Sequence, residues 1–266
     1  MIPGLCGVSL GEPMLKTYVA SHILTEQPTA PYLEKIQTGS LGKEAWPGFL
    51  RDDTGDNISH LNRNYGELSG LYWVWKNTTE EKVGWCHYRR FFSPTLWPAD
   101  QYKGVSVDVP MAQVLLNQNP TGSLYDFELN MCDMILPAMI PVEFAGAAWW
   151  KGVYREEDWN GLLEALAEIY PDEYEGFVKF FNEVHPLHFW CMFITKRQTL
   201  NAYCEWLFPL LAHMSTKITP SEDNFQCRVY AFVTELIFNW WTASRGVRAV
   251  NRPIIFLSEA KPAGVF

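Results

Sequence analysis

Residues 56–92 constrain this chain more than any other stretch, because an apolar-striped helix runs there into a short strand that ends on His87-Tyr88-Arg89-Arg90. From Leu61 the large apolar residues are Leu61, Tyr65, Leu68, Leu71, Tyr72 and Trp75. Steps of three and four put them on one face of a helix. Asn62, Asn64, Glu67 and Lys76 fall off that stripe. Asn77 ends the helix, since asparagine tolerates the left-handed C-terminal conformation. Residues 82–87 are short and largely apolar, the pattern of a strand buried on both faces. A helix feeding such a strand predicts an α/β fold, in which ligands bind beyond the carboxyl ends of the strands. Arg89 and Arg90 stand there if the strand is parallel to its neighbours. Guanidinium forks suit phosphate oxygens, and His87 and Tyr88 add hydrogen-bonding groups. The competing reading pairs the arginines with surface carboxylates and packs the histidine.

A buried strand needs a core to lie in. Of 266 residues, 48% are hydrophobic and 19% charged, enough for one large α/β domain over residues 15–266 behind an irregular arm at 1–14. The net charge of -9 argues against nonspecific nucleic-acid binding, which rests on clustered Lys and Arg. A local basic patch for a nucleotide diphosphate is compatible with it. The six cysteines are scattered without a C-x-x-C pair, so they read as buried free thiols of a reducing cytoplasm. No apolar run reaches transmembrane length, so any membrane association is peripheral. Aromatics reach 15%; their faces stack on sugar rings, though most must serve the core.

Along the chain, residues 16–22 read as the first strand, with His22 at its carboxyl end, and a short strand lies near Ile36. Residues 52–56 form an acidic turn whose ligand pattern stops too early for a calcium loop. Short helices are predicted at 110–117 and 124–131, in and after an irregular stretch at 93–123. A strand follows at 132–137. Amphipathic helices cover 156–170 and 172–184, and FWCMFIT at 189–195 reads as another buried strand. A helix kinked at Pro209 covers 199–214. Ser221, followed by Glu222 and Asp223, caps a long helix reaching about Ser244, with Gly246 as its stop. On it Arg228, Glu235 and Asn239 share one face of an otherwise apolar helix. Buried charge is costly unless paired, so that stripe means either internal pairing or a ligand cavity. Residues 251–257 add an edge strand. No dinucleotide fingerprint, P-loop or nucleophile elbow is present, which weakens dehydrogenase, NTPase and hydrolase readings.

Asn57-Ile58-Ser59, then Glu67-Leu68-Ser69-Gly70-Leu71-Tyr72-Trp73-Val74-Trp75-Lys76-Asn77, then Gly84-Trp85-Cys86-His87-Tyr88-Arg89-Arg90-Phe91-Phe92 form a recognisable series. Through them the chain resembles a bacterial family of capsular and O-antigen polysaccharide glycosyltransferases, long catalogued as a domain of unknown function. Galactofuranosyltransferase domains are among its members. Weaker similarity extends over residues 15–245. The chain departs from the family pattern at Ile23 (usually lysine), Ser69 (threonine), Cys191 (asparagine) and Leu236 (arginine).

The resemblance implies a GT-A-like nucleotide-binding sandwich with a mostly parallel central sheet and a helical C-terminal part. It implies transfer of a sugar, galactofuranose being a candidate, from a UDP-sugar to a glycan or lipid-linked oligosaccharide acceptor in lipopolysaccharide, capsule or exopolysaccharide synthesis. Where such folds carry a metal-binding Asp-x-Asp, this chain has His87 to Arg90, with no carboxylate. Cationic side chains are therefore expected to replace Mn²⁺ or Mg²⁺ on the departing diphosphate. Inverting transfer needs a carboxylate to deprotonate the acceptor. Glu235 is the first candidate and Asp223 the second. Glu67 is expected to bind sugar hydroxyls, and Asn57 and Asn64 to lie near the nucleotide. His22, Asp56, Lys76 and Arg228 complete the expected donor site. Two other classes compete: a noncatalytic carbohydrate- or nucleotide-binding module of a polysaccharide-assembly complex, and a nucleotidyltransferase, which would need carboxylates for Mg²⁺.

Overall fold

The computed structural model describes residues 15–96 and 103–258. The expected arm at 1–14 and the end of the tail lie outside the described residues. Four strands, β1 (Leu15–Ser21), β2 (Leu33–Gln37), β3 (Leu50–Arg51) and β4 (Lys82–His87), run parallel in the spatial order β3-β2-β1-β4. On its other side β4 serves two neighbours. Lys82 to Trp85 pair antiparallel with β8 (Phe193–Lys196), whereas His87 pairs with Arg90 of β5 (Arg90–Phe92). The sheet thus forks at the end of β4. One branch continues through β7 (Met134–Pro137) to β9 (Ala249–Arg252). The other continues through β10 (Ile254–Leu257) to β6 (Gly104–Val107).

Alternation along β1 and β4 builds two cores. Tyr18, Ala20, Val83 and Trp85 face one side, against α2 (Leu68–Asn77), α6 (Glu156–Ile169), α8 (Arg197–Met214) and α9 (Val229–Ser244). Leu15, Val19 and Cys86 face the other, against α3 (Val109–Leu116) and α4 (Ser123–Glu128). The expected layered sandwich follows, since a strand buried on both faces must be covered on both. The helix α5 (Gly146–Val153) was not anticipated, and α7 (Pro171–Asn182) starts on the proline expected only to separate two helices. Among the described residues no helix is long and apolar enough to cross a membrane.

Four sequence expectations need correction. The helix expected from Leu61 is two helices, α1 (Asn62–Tyr65) and α2, broken at Gly66 with φ 54°. A Cβ there would lie 3.2 Å from Ala231 Cβ and 3.4 Å from Arg228 Nη2, so the bend brings the backbone close to α9. Residues 251–257 hold parts of two strands divided by Pro253, which has no N–H for a ladder, and β10 is interior, between β5 and β6. The final helix begins at Val229 after a 3₁₀ turn at Gln226–Arg228; Asp223, not Ser221, caps that turn by accepting from the Phe225 and Gln226 amides. Lastly, residues 190 and 191 are not strand: Trp190 and Cys191 have φ of 71° and 44°, a left-handed turn just before β8.

Candidate functional site

The carboxyl ends of β1, β2 and β4 open on one cleft. His22 follows β1, Thr38 follows β2, and Tyr88 and Arg89 form the two-residue turn between His87 of β4 and Arg90 of β5. Opposite stand Phe225, Arg228, Phe232 and Glu235. The last three are spaced four and three residues apart and share a face of α9 and the turn before it. The cleft encloses about 190 Å³, and a second chamber of about 300 Å³ adjoins it. His22, Thr38, Glu67 and Arg228 border both, and Lys43, Asn62, Arg63 and Asn224 help line the second.

Arginine dominates the first chamber, with Arg89, Arg90 and Arg228 against Glu67 and Glu235. Arg228 reaches Glu67 at 3.3 Å. Arg89 lies over the Tyr88 ring and Arg90 over the Trp190 ring, at 5.6 and 5.5 Å. Among the described residues neither has a carboxylate within ion-pair distance, so their forks are open to a phosphate. Among the described residues no such surface pairing is present.

Glu67 and Glu235 share the cleft under opposite influences. Burial, reinforced by the negative charge of Glu67, pushes Glu235 up to about 7, against the pull of Arg90 and Arg228. Burial also raises Glu67, yet the pull of His87, Arg228 and Arg90 is stronger and leaves it below the ordinary glutamate value. His87 itself is pushed down to about 4, mainly by burial. At neutral pH its ring is uncharged, and the remaining pull on Glu67 comes from Arg228, a backbone hydrogen bond and Arg90. His87 Nε2 donates to the Trp190 carbonyl at 2.6 Å, which leaves Nδ1 as the acceptor. His22 sits edge-on to Tyr88 at 5.1 Å and is held low by burial and by Arg228.

The left-handed turn at Trp190 and Cys191 supports this constellation from behind, holding the carbonyl for His87 and the ring beneath Arg90. A non-glycine residue there stores about 1 kcal/mol or more, and asparagine tolerates the conformation best. An asparagine at position 191, as the family resemblance leads one to expect, would thus have a backbone reason. Cys191 is buried with Sγ 3.7 Å from Tyr203 Oη, which would hydrogen-bond an amide. In urea denaturation, Cys191→Asn is expected to exceed Cys191→Val in stability by about 1–2 kcal/mol, because a β-branched residue fits this region worst. Equal midpoints would remove strain from the account.

The residues proposed from sequence separate into two groups. The cleft gathers His22, Glu67, His87, Tyr88, Arg89, Arg90, Arg228 and Glu235. Five others lie elsewhere. Asp56 accepts from Tyr72 Oη, and its amide donates to Asn77. The Asn57 side chain closes a local turn on Gly55 and Ser59. Lys76, at the far end of α2, lies over Trp75 at 3.5 Å. Asn64 bonds the Cys227 carbonyl and fastens α1 to the 3₁₀ turn. Asp223 is exposed, and its backbone hydrogen bonds hold it below the usual aspartate range. A helix turns neighbours in sequence toward different sides, so a dense motif does not deliver all its polar groups to one cleft.

What several of those motif residues share is Asp52, a fully buried carboxylate. It accepts from the amides of Gly39 and Ser40 and the hydroxyls of Ser40, Ser59 and Ser69, at 2.6–2.9 Å. Those partners come from the loop after β2, the turn before α1 and the start of α2. The acidic turn is thus a knot of hydrogen bonds rather than a calcium loop. The threonine that the family resemblance leads one to expect at position 69 would offer the same hydroxyl as Ser69. Among the described residues no three His, Cys, Asp or Glu side chains are grouped to hold a metal ion. Sequence reasoning missed Thr38, Phe225, Phe232 and Trp190; for Phe232 the available signal was its spacing of four from Arg228.

No match to a curated protein was found. The structure superposes on that of the WbbM bifunctional glycosyltransferase in its apo form with a TM-score of 0.81. The two are 24% identical, over 94% of this chain and 47% of that one, so this chain spans about half that protein's length. At this identity the likeness is one of fold, and the expected GT-A-like α/β architecture is the one observed. A family model matches residues 16–246, well over half of the sequence, and by that match the chain belongs to the DUF4422 family, a domain of unknown function.

Proposed function

We propose that this chain is an inverting, metal-independent glycosyltransferase. It moves a sugar, with galactofuranose the leading candidate, from a UDP-sugar to a hydroxyl of a glycan or lipid-linked oligosaccharide in capsule, O-antigen or exopolysaccharide assembly. One observation carries the reading: a cleft at the carboxyl ends of parallel strands holds two arginines with no carboxylate at ion-pair distance among the described residues, and two glutamates driven apart in acidity. Pairs of titratable groups pushed apart in this way mark acid–base roles. Glu235, titrating near 7, is suited to general base catalysis at neutral pH.

In the proposed reaction the acceptor hydroxyl attacks the anomeric carbon and gives its proton to the Glu235 carboxylate. The bond from that carbon to the diphosphate oxygen breaks, and UDP leaves with the electron pair. Arg89 and Arg90 stabilise the charge that develops on the diphosphate. Glu67 stays ionised, holds Arg228 and offers acceptor oxygens to sugar hydroxyls. A lipid-linked acceptor would place the protein peripherally at the inner face of the cytoplasmic membrane.

The test is UDP release from a panel of UDP-galactofuranose, UDP-galactose, UDP-glucose and UDP-N-acetylglucosamine, with UDP binding followed by calorimetry. Release from at least one donor in EDTA is the expected result. Turnover that requires Mn²⁺ or Mg²⁺ would overturn the metal-free clamp. Absence of both turnover and UDP binding would overturn the enzyme.

A further inference from the structure

The two walls of the cleft differ in chemistry. The sheet-side wall, with His22, His87, Arg89 and Arg90, is basic and polar. The helix-side wall carries Glu235 among rings. Phe225 is 45% exposed at the mouth. Its ring packs 4.9 Å from Phe232, which stacks on Tyr154 at 4.7 Å and 26°. Tyr154 also stacks on Phe225, at 6.0 Å and 15°. Behind them Tyr154 leans on buried Trp150 at 4.5 Å. The Tyr154 hydroxyl is raised by burial and by the nearby Glu235 charge, which puts this stair of rings beside that carboxylate. Arg228 lies over Phe232 at 5.5 Å, leaving the outermost ring, Phe225, as the most open to solvent.

Single exposed apolar residues are ordinary. A rigid aromatic stair is different when it stands in a cleft beside a carboxylate and opposite a basic wall. Its open face suits a flat, weakly polar surface, and the C–H face of a sugar ring is such a surface. A base must lie on the acceptor's side of the reacting carbon, and Glu235 is on this wall. We infer that Phe225, backed by Phe232 and Tyr154, is the platform on which the acceptor sugar ring stacks, so that its hydroxyl meets Glu235. This rests on the glycosyl-transfer reading and adds the acceptor subsite to it. The alternative occupant of the platform is the uracil ring of the donor, and the test separates the two.

Saturation-transfer NMR on the full chain with saturating UDP would use methyl β-D-galactopyranoside, methyl β-D-glucopyranoside and methyl α-D-mannopyranoside as probes. At least one is expected to receive magnetisation on the ring protons of its apolar face. Phe225→Ala is expected to weaken that binding about 5–10-fold, in line with about 1–1.5 kcal/mol for an aromatic stacking contact. Phe225→Trp is expected to retain it. Phe225→Leu should behave like alanine, since a branched aliphatic chain offers no ring face. UDP affinity is expected to be unchanged in all three variants. The inference falls if no glycoside binds, if Phe225→Ala binds as tightly as the parent, or if Phe225→Leu substitutes for phenylalanine. A loss of UDP affinity in Phe225→Ala would assign the platform to the donor base and overturn it as well. Failure of the parent chain to bind UDP would instead strike the glycosyl-transfer reading.

Discussion

Glu235→Gln is expected to cut sugar transfer by about 10³–10⁴-fold, the upper part of the range for a lost general base, while UDP binds as before. The parent protein should show kcat/KM rising with pH and levelling above about 7, where Glu235 is ionised. Stability should move the opposite way. The folded-state value of Glu235 lies above the ordinary 4.5. Its contribution is therefore fully present below about 4.5 and is lost as pH rises through about 7. A neutral glutamine avoids that loss, so the variant should gain about 3 kcal/mol at pH 8 and almost nothing at pH 4. In thermal melts the gain is several degrees. A variant that is inactive but no more stable at pH 8 would leave Glu235 ordinarily solvated. A variant that still turns over would remove it from the chemistry.

Arg90→Ala carries the second large effect, a fall of about 10²–10³-fold in kcat/KM, the size seen when one preorganised charge-stabilising donor is removed. Arg90 also holds Glu235 down, so the acid limb of the pH profile should move to higher pH in this variant. Arg90→Lys should not restore the parent rate, because an ammonium has no planar fork for a diphosphate and stacks less well over Trp190. Arg89→Ala is expected to act in the same direction on UDP release with a smaller shift of the acid limb, since Arg90 and Arg228 are the cations that act most on Glu235. If Arg90→Ala keeps both its rate and its pH profile, the arginine is structural. Rescue of the variant by Mn²⁺ would show that a metal can do the work assigned to it.

Some of this was readable from the sequence for physical reasons. A six-residue, largely apolar strand followed one residue later by two arginines has few places in an α/β fold, and both arginines flank the cleft. Arg228 and Glu235 were legible because charges two turns apart on an apolar helix demand partners, and the cleft supplies them. What stayed hidden depends on long-range geometry. Nothing local says that Gly66 bends the first helix toward α9, or that Pro253 divides two strands bound for different branches of the sheet. Asp56, Asn57 and Lys76 belong to a dense motif but serve its folding, since the groups they bond lie within a turn or across one loop. The turn at Trp190 and Cys191 was masked by apolar composition, which reads as strand regardless of backbone hand.

The knot on Asp52 has a bearing on how readily this scaffold could be given new substrates. Its two oxygens fix the loop that starts at Thr38 and Gly39, the turn at Ser59 and the start of α2 beside Glu67. Redesign around Thr38 and Glu67, which border both chambers, would therefore disturb several segments at once. Phe225 lies outside that knot, just before the 3₁₀ turn that the Asp223 cap, the Gln226 bond to Val153 and the Asn64 bond to Cys227 hold in place. A library confined to Phe225 and its ring neighbours could trade one acceptor for another while the donor machinery keeps its shape.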